Sequence, residues 1–142
     1  MKLLLDTNIA LDLLMDRAPF ADAAAELFSR IEEGSATGYL CATTVTTLHY
    51  LLTRSLGAKQ ALKEVGKLLQ MFEVAPVSRS VLAAALESGF SDFEDAVIYE
   101  AARHAGADAI ITRNLKDFTK SKLPVYPADE VLHIMATEKS ET

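Results

Sequence analysis

Leu3-Leu4-Leu5-Asp6-Thr7-Asn8 opens the chain with three consecutive leucines that stop at an acid, a hydroxyl and an amide. So short an apolar run, with no polar alternation, reads as a strand covered on both faces, the form that strands take in a parallel sheet. Beyond it, Ile9, Leu11, Leu13 and Leu14 continue as a helical stripe, and after Arg17 and Ala18 a proline, Pro19, opens a second helix to about Glu33, stopped by Gly34. The same alternation recurs downstream. Strands are expected over 37–42, 73–77, 108–112 and 123–126, the first of them followed by a threonine cluster (Thr43, Thr44, Thr46, Thr47) and then a helix through Leu48, Leu51 and Leu52. An amphipathic helix is expected over 58–72 with Lys59, Lys63 and Lys67 on its outer face, another helix over 80–86 before Gly89, and a long one over 91–105 ended by Gly106. A short turn over 115–118 and a last helix from Pro127 to about Met135 complete the pattern. Strands alternating with helices in this way predict an α/β fold on a parallel sheet.

The 142 residues are 50% hydrophobic, enough for one core and too few for two, so a single domain is expected over 1–136 with a polar, frayed tail over 137–142. Lys and Arg number 14 against 20 Asp and Glu, a formal charge of −6, which excludes holding nucleic acid by bulk positive charge. A polyanion has to be held locally. Two cation clusters offer that: Arg54, Lys59, Lys63 and Lys67, and the group Arg113, Lys116, Lys120 and Lys122 that brackets Asp117. Mean hydropathy is +0.16, but the apolar runs fall far short of the roughly 18 residues of a membrane span. The first leucines are too few and too soon interrupted by Asp6 for a signal peptide, so a soluble, cytoplasmic protein is expected. Cys41, the only cysteine, reads as a small buried hydrophobe, and His49, His104 and His133 are scattered, as surface or packing residues are.

Sites in open parallel sheets form at the carboxyl ends of strands, and acids gather there in this sequence. Asp6 ends the first strand; Asp92, Glu94 and Asp95 open the long helix; Asp117 follows the fourth strand. Each has a structural alternative. Asp6 suits a helix N-cap, Asp117 suits a capped turn, and Asp92 and Asp95 suit the helix dipole. Helical geometry places Asp92 and Asp95 about 60° apart on the side of Ala96 and Tyr99, opposite an apolar side of Val97, Ile98, Ala101 and Ala105. Like charges so placed repel unless a cation lies between them. Glu94 falls on the other side, and Ser91-Asp92-Phe93-Glu94 fits a capping box with Ser91 as the cap, which gives Glu94 a mainly structural role. Oxygen donors without paired His or Cys suit Mg2+ or Mn2+ rather than zinc. A hydrated cation of that kind points to phosphodiester hydrolysis with no covalent nucleophile.

Three motifs, Leu3-Leu4-Leu5-Asp6-Thr7-Asn8, Asp92-Phe93-Glu94-Asp95-Ala96 and Thr112-Arg113-Asn114-Leu115-Lys116-Asp117-Phe118, in this order and separation, resemble the PIN domain, in particular its small bacterial VapC-like members. The resemblance extends from Lys2 to about Leu132. It implies a three-layer α/β/α domain with a parallel sheet of about five strands, and a Mg2+- or Mn2+-dependent endoribonuclease. By position, Asp6 and Asp95 match family acids, and Asp117 lies in the stretch that supplies the last one, where many members place an acid at the position of Asn114. These three form the implied metal set. Asn8 and Thr112 match supporting polar residues, while Arg113, Lys116 and Lys120 are expected to contact RNA. A homodimer, and a small antitoxin whose inserted segment blocks the groove, are the implied partners.

One departure stands out. The family usually carries an acid, most often Glu, on the helix after the second strand, and Thr43-Thr44-Val45-Thr46-Thr47-Leu48-His49-Tyr50 has none. Thr47 is assigned to that position, and Asp92, ahead of Glu94, is assigned to make good the missing charge. Two functional readings follow: a metal-dependent ribonuclease, the toxin of a toxin-antitoxin pair, or a catalytically weakened PIN-like domain that binds RNA or a protein without cutting. A phosphatase-like hydrolase with Asp6 as nucleophile would need a second Asp two residues on, where Asn8 stands.

Overall fold

Leu3, Leu4 and Leu5 are fully buried in the strand they were expected to form, β1 (Lys2–Leu5), in a computed structural model that describes residues 1–141 and the side chains of residues 1–138. Four further strands, β2 (Thr37–Cys41), β3 (Glu73–Ala75), β4 (Ala109–Ile111) and β5 (Val125–Tyr126), join it in one sheet. The order is β3-β2-β1-β4-β5 and every pairing is parallel, with Leu4 opposite Tyr39 on one side and Ile110 on the other.

Pleating sends alternate side chains to opposite faces and so sorts the core into two layers. Leu3, Leu5, Leu40, Ala109 and Ile111 meet α1 (Thr7–Leu14), α2 (Ala21–Glu32), α3 (Ala42–Leu56), α4 (Ala58–Met71) and α7 (Ala128–Glu141). Leu4, Cys41, Ala75 and Ile110 meet α5 (Arg79–Glu87) and α6 (Phe93–Ala105). The result is the three-layer α/β/α arrangement. Cys41 is buried and free, as expected. Gly38 lets β2 approach the first layer closely, since a Cβ there would lie 2.5 Å from the Phe72 ring and 2.9 Å from Ile31.

Strands β3, β4 and β5 are shorter than the expected 73–77, 108–112 and 123–126, and three helices differ from expectation. Helix α3 starts at Ala42, directly after β2, so the threonine cluster is helical; burial of Thr44, Leu48 and Leu52 outweighs the modest helix propensity of threonine. Helix α7 continues past Met135 to Glu141, through most of the tail expected to fray, while Thr142 lies outside the described residues. Helix α6 has no single apolar face: Ala96 through Ala102 are all buried, Tyr99 among them, stacked on Phe90 at 4.9 Å and accepting a hydrogen bond from the Lys122 N–H at 3.1 Å. Among the described residues no helix is long and apolar enough to cross a membrane.

Candidate active site

Strand β1 has β2 on one side and β4 on the other, so successive connections leave it in opposite directions. Such a switch point opens a crevice beyond the carboxyl ends of β1 and β4. Asp6 stands at the exit of β1, its backbone N–H donating to the Ile111 carbonyl at 2.8 Å. It is indeed the N-cap of α1, with Oδ1 accepting from the Thr7 N–H at 2.8 Å. Capping occupies only that oxygen. Oδ2 accepts from the Thr112 hydroxyl at 2.8 Å and from Asn8 Nδ2 at 3.4 Å, which brings β1, α1 and the exit of β4 together on one carboxylate. The amide of Asn8 also donates to Thr112 Oγ1 at 3.3 Å, and Thr112 Oγ1 accepts from the Asn114 N–H at 3.0 Å.

Burial pushes the Asp6 carboxyl above the usual carboxylate range; the Thr112 and Thr7 bonds pull it down without reversing that, and nearby Asp117 adds to the rise. Asp95, half-buried on the first turn of α6, is pushed up to about 7, first by burial and then by the charges of Asp6, Asp92, Asp117 and Glu94. These carboxylates therefore share one electrostatic field, although they come from three separate segments of the chain.

Asp92 is the N-cap of α6, its Oδ1 accepting from the Asp95 N–H at 2.9 Å. The expected cap, Ser91, is displaced by one residue, so the capping box with Glu94 does not form; Glu94 is exposed in the first turn. Asp117 is exposed on the 3-10 turn Leu115–Phe118, which follows the exposed Asn114 and is pinned by Phe118, buried and edge-on to Phe90 at 5.9 Å. On α3 it is Thr44 that reaches the site's edge, accepting from the Thr7 hydroxyl at 3.1 Å, with the half-buried Thr47 one turn further on. This side of the crevice presents hydroxyls and no charge.

Of the three cations expected to meet RNA, Lys116 and Lys120 are exposed beside Asp117. Arg113 is instead engaged by the protein. Its Nε and Nη2 donate to the two oxygens of Asp12 at 2.7 and 3.0 Å, and its guanidinium lies 4.0 Å from the centre of the Phe20 ring. The sequence reading missed Asp12, although it sits four residues after Asn8 and hence on the same face of α1. It also missed Glu100, buried on α6 and paired with Arg103 at 3.2 Å, despite basic residues three and four positions on.

Among the described residues no three His, Cys, Asp or Glu side chains converge closely enough to cage a metal ion between them. The donor set nevertheless fits a hard cation: it consists of oxygens, and two of its carboxylates are raised in pKa, first by burial and then by neighbouring negative charge. Mg2+ in particular is commonly bound through one or two carboxylates while keeping several waters.

A family model described as PIN domain matches residues 2–116. No curated protein matches the chain by sequence. Among solved structures, the chain superposes on FitAcB from Neisseria gonorrhoeae with a TM-score of 0.69 at 23% identity, covering 89% of this chain and 97% of that one. A toxin-antitoxin complex from Klebsiella pneumoniae gives 0.66 at 22% identity, over 88% and 96%. A VapC from Mycobacterium tuberculosis, described as a sarcin-ricin loop cleaving toxin, gives 0.62 at 16% identity, over 76% and 86%.

Proposed function

The chain belongs to the PIN domain family, and from that membership we propose that it is a divalent-metal-dependent endoribonuclease, acting as the toxin of a toxin-antitoxin pair. The observation that supports this reading is that Asp6 at the switch point and Asp95 on α6 are both raised in pKa, with the charge of Asp117 acting on each and that of Asp6 acting on Asp95. Clustered acids held above their ordinary pKa are costly to a fold that makes no use of them, and a cation relieves the repulsion. Of Asp6, Asp95 and Asp117, one or two carboxylates would bind Mg2+ or Mn2+ directly and the rest through the ion's retained waters, with Asp92 adding charge from the helix cap. A bound ion of this kind neutralises phosphate charge and lowers the pKa of water, which is the chemistry of phosphodiester hydrolysis.

The chain's own residues do the rest. Thr112 and Asn8 hold Asp6 Oδ2 in one orientation, and the backbone N–H of Thr7 fixes Oδ1. Thr44, bonded to Thr7, and Thr47 would form the uncharged edge, and Asn114 and Glu94 are exposed. Lys116 and Lys120 would supply the local positive charge that a protein of net charge −6 needs for RNA. A small antitoxin entering the groove, in keeping with the toxin-antitoxin complex among the fold's neighbours, completes the proposal together with a homodimer and a cytoplasmic location.

A second reading, RNA or protein binding without cleavage, is favoured by one observation: α3, whose Thr44 meets Thr7 at the site's edge, carries no acidic residue. Incubation of single-stranded and structured RNA with the protein and Mg2+ or Mn2+ separates the two. Cleavage is expected in wild type and a loss of about 100-fold or more in Asp6→Asn and in Asp95→Asn, with folding intact by circular dichroism. RNA binding without cleavage under either metal would establish the second reading.

A further inference from the structure

We propose that Asp12 and Arg113 form a clamp that positions Asn8, and through it Asp6; its catalytic meaning rests on the assignment of Asp6 to the active centre. Asp12 is 1% exposed on α1, a burial that a carboxylate tolerates only when paired. The pairing is a two-pronged fork, 2.7 and 3.0 Å, and Phe20 closes over the guanidinium at 4.0 Å. These contacts fix Arg113 from its tip. Its own backbone N–H donates to Asn8 Oδ1 at 3.3 Å, so the amide oxygen of Asn8 is already engaged and its Nδ2 must face Asp6 Oδ2 and Thr112 Oγ1. A side chain amide has one acceptor end and one donor end, so engaging the first orients the second.

The path Asp12–Arg113–Asn8–Asp6 starts and ends on or beside α1 and crosses the crevice to the exit of β4 in between. It thus ties the segment that carries Asp117 to the helix that Asp6 caps. With Nε and Nη2 directed at Asp12, Arg113 does not offer its fork to a phosphate. It is a positioning residue, as is Asp12.

Asp12→Asn keeps the side-chain shape and removes the charge that holds the fork; Arg113→Lys keeps the charge and removes the fork. In both, kcat for RNA is expected to fall about 10- to 100-fold while KM stays within about 2-fold, and the combined variant is expected to be no worse than either alone. Mn2+ affinity by calorimetry is expected to weaken by about 10-fold. The two side-chain amide proton signals of Asn8, read by nuclear magnetic resonance without metal or RNA, are expected to shift or broaden in both variants. If those signals do not move, the clamp is overturned whatever happens to cleavage. A KM raised about 10-fold at unchanged kcat would also overturn it, in favour of a phosphate contact by Arg113. Should wild type cleave no RNA, the nuclease reading fails while the clamp is still decided by the Asn8 signals. Should Asp12→Asn not fold, Arg113→Lys, altered at a partly exposed side chain, carries the same readouts.

Discussion

Asp95 shows how a single carboxylate couples stability to the proposed chemistry. Its pKa is raised from 3.8 to about 7 in the folded chain. Between those values the folded state holds a proton that the unfolded state has released, so stability declines as pH rises through the window and stays reduced above it. Asp95→Asn removes that penalty. The variant is expected to melt about 3–8 °C higher than wild type at pH 8, reflecting about 1–2 kcal/mol once solvent screening of this half-exposed group is allowed for, and to match wild type near pH 4. Thermal melts at the two pH values check this; a loss of several degrees at both would make interaction with the helix dipole the main work of Asp95. Asp6→Asn is expected to gain less or nothing, because the new amide would set a donor against the donors of Thr112 and Asn8. The nearness of Asp6 and Asp117 to Asp95, felt in the Asp95 pKa, was legible in the sequence because each follows a strand or opens a helix. The ion pair of Asp12 with Arg113 was not, because it depends on the register that sets β1 beside β4.

Elements fold here where local signals and burial agree, and shift by a residue or more where they compete. Asp92 wins the α6 cap from Ser91 because its side chain reaches the Asp95 N–H at 2.9 Å. Asp92→Ala is therefore expected to cost about 1 kcal/mol in urea unfolding at pH 5, where Asp95 is protonated, whereas Glu94→Ala is expected to cost less than about 0.5 kcal/mol. Equal costs, or the reverse order, would restore the box centred on Ser91. The start of α3 escaped the sequence reading for a similar reason. Four threonines argue locally against a helix, and only the packing of Thr44, Leu48 and Leu52 settles the matter. Strand β2 is constrained from the other side: Gly38→Ala drives a Cβ to 2.5 Å from the Phe72 ring. That change is expected to cost about 1–3 kcal/mol, measured by the same unfolding experiment.

For the molecule as a whole, five parallel strands sandwiched between helices put one crevice at the turn in strand order, and the charges of acids from three segments act together on Asp95 there. Strand order itself was not legible in the sequence, since alternation predicts a parallel sheet without saying which strands are neighbours. With a net charge of −6, the proposed RNA substrate would be held against the overall field, so each of Lys116 and Lys120 replaced by Ala is expected to lower the slope of binding affinity against salt by about 1. An unchanged slope would remove them from the RNA contact. Calorimetric titration of Mn2+ into wild type and Asp95→Asn at pH 8, with RNA cleavage followed in the same samples, decides whether the acidic crevice is the proposed metal-dependent nuclease centre. Wild type is expected to bind Mn2+ and cut RNA, and the variant to bind at least about 10-fold more weakly and cut about 100-fold more slowly. Wild type that neither binds nor cuts, or a variant equal to it in both, would rule the nuclease centre out.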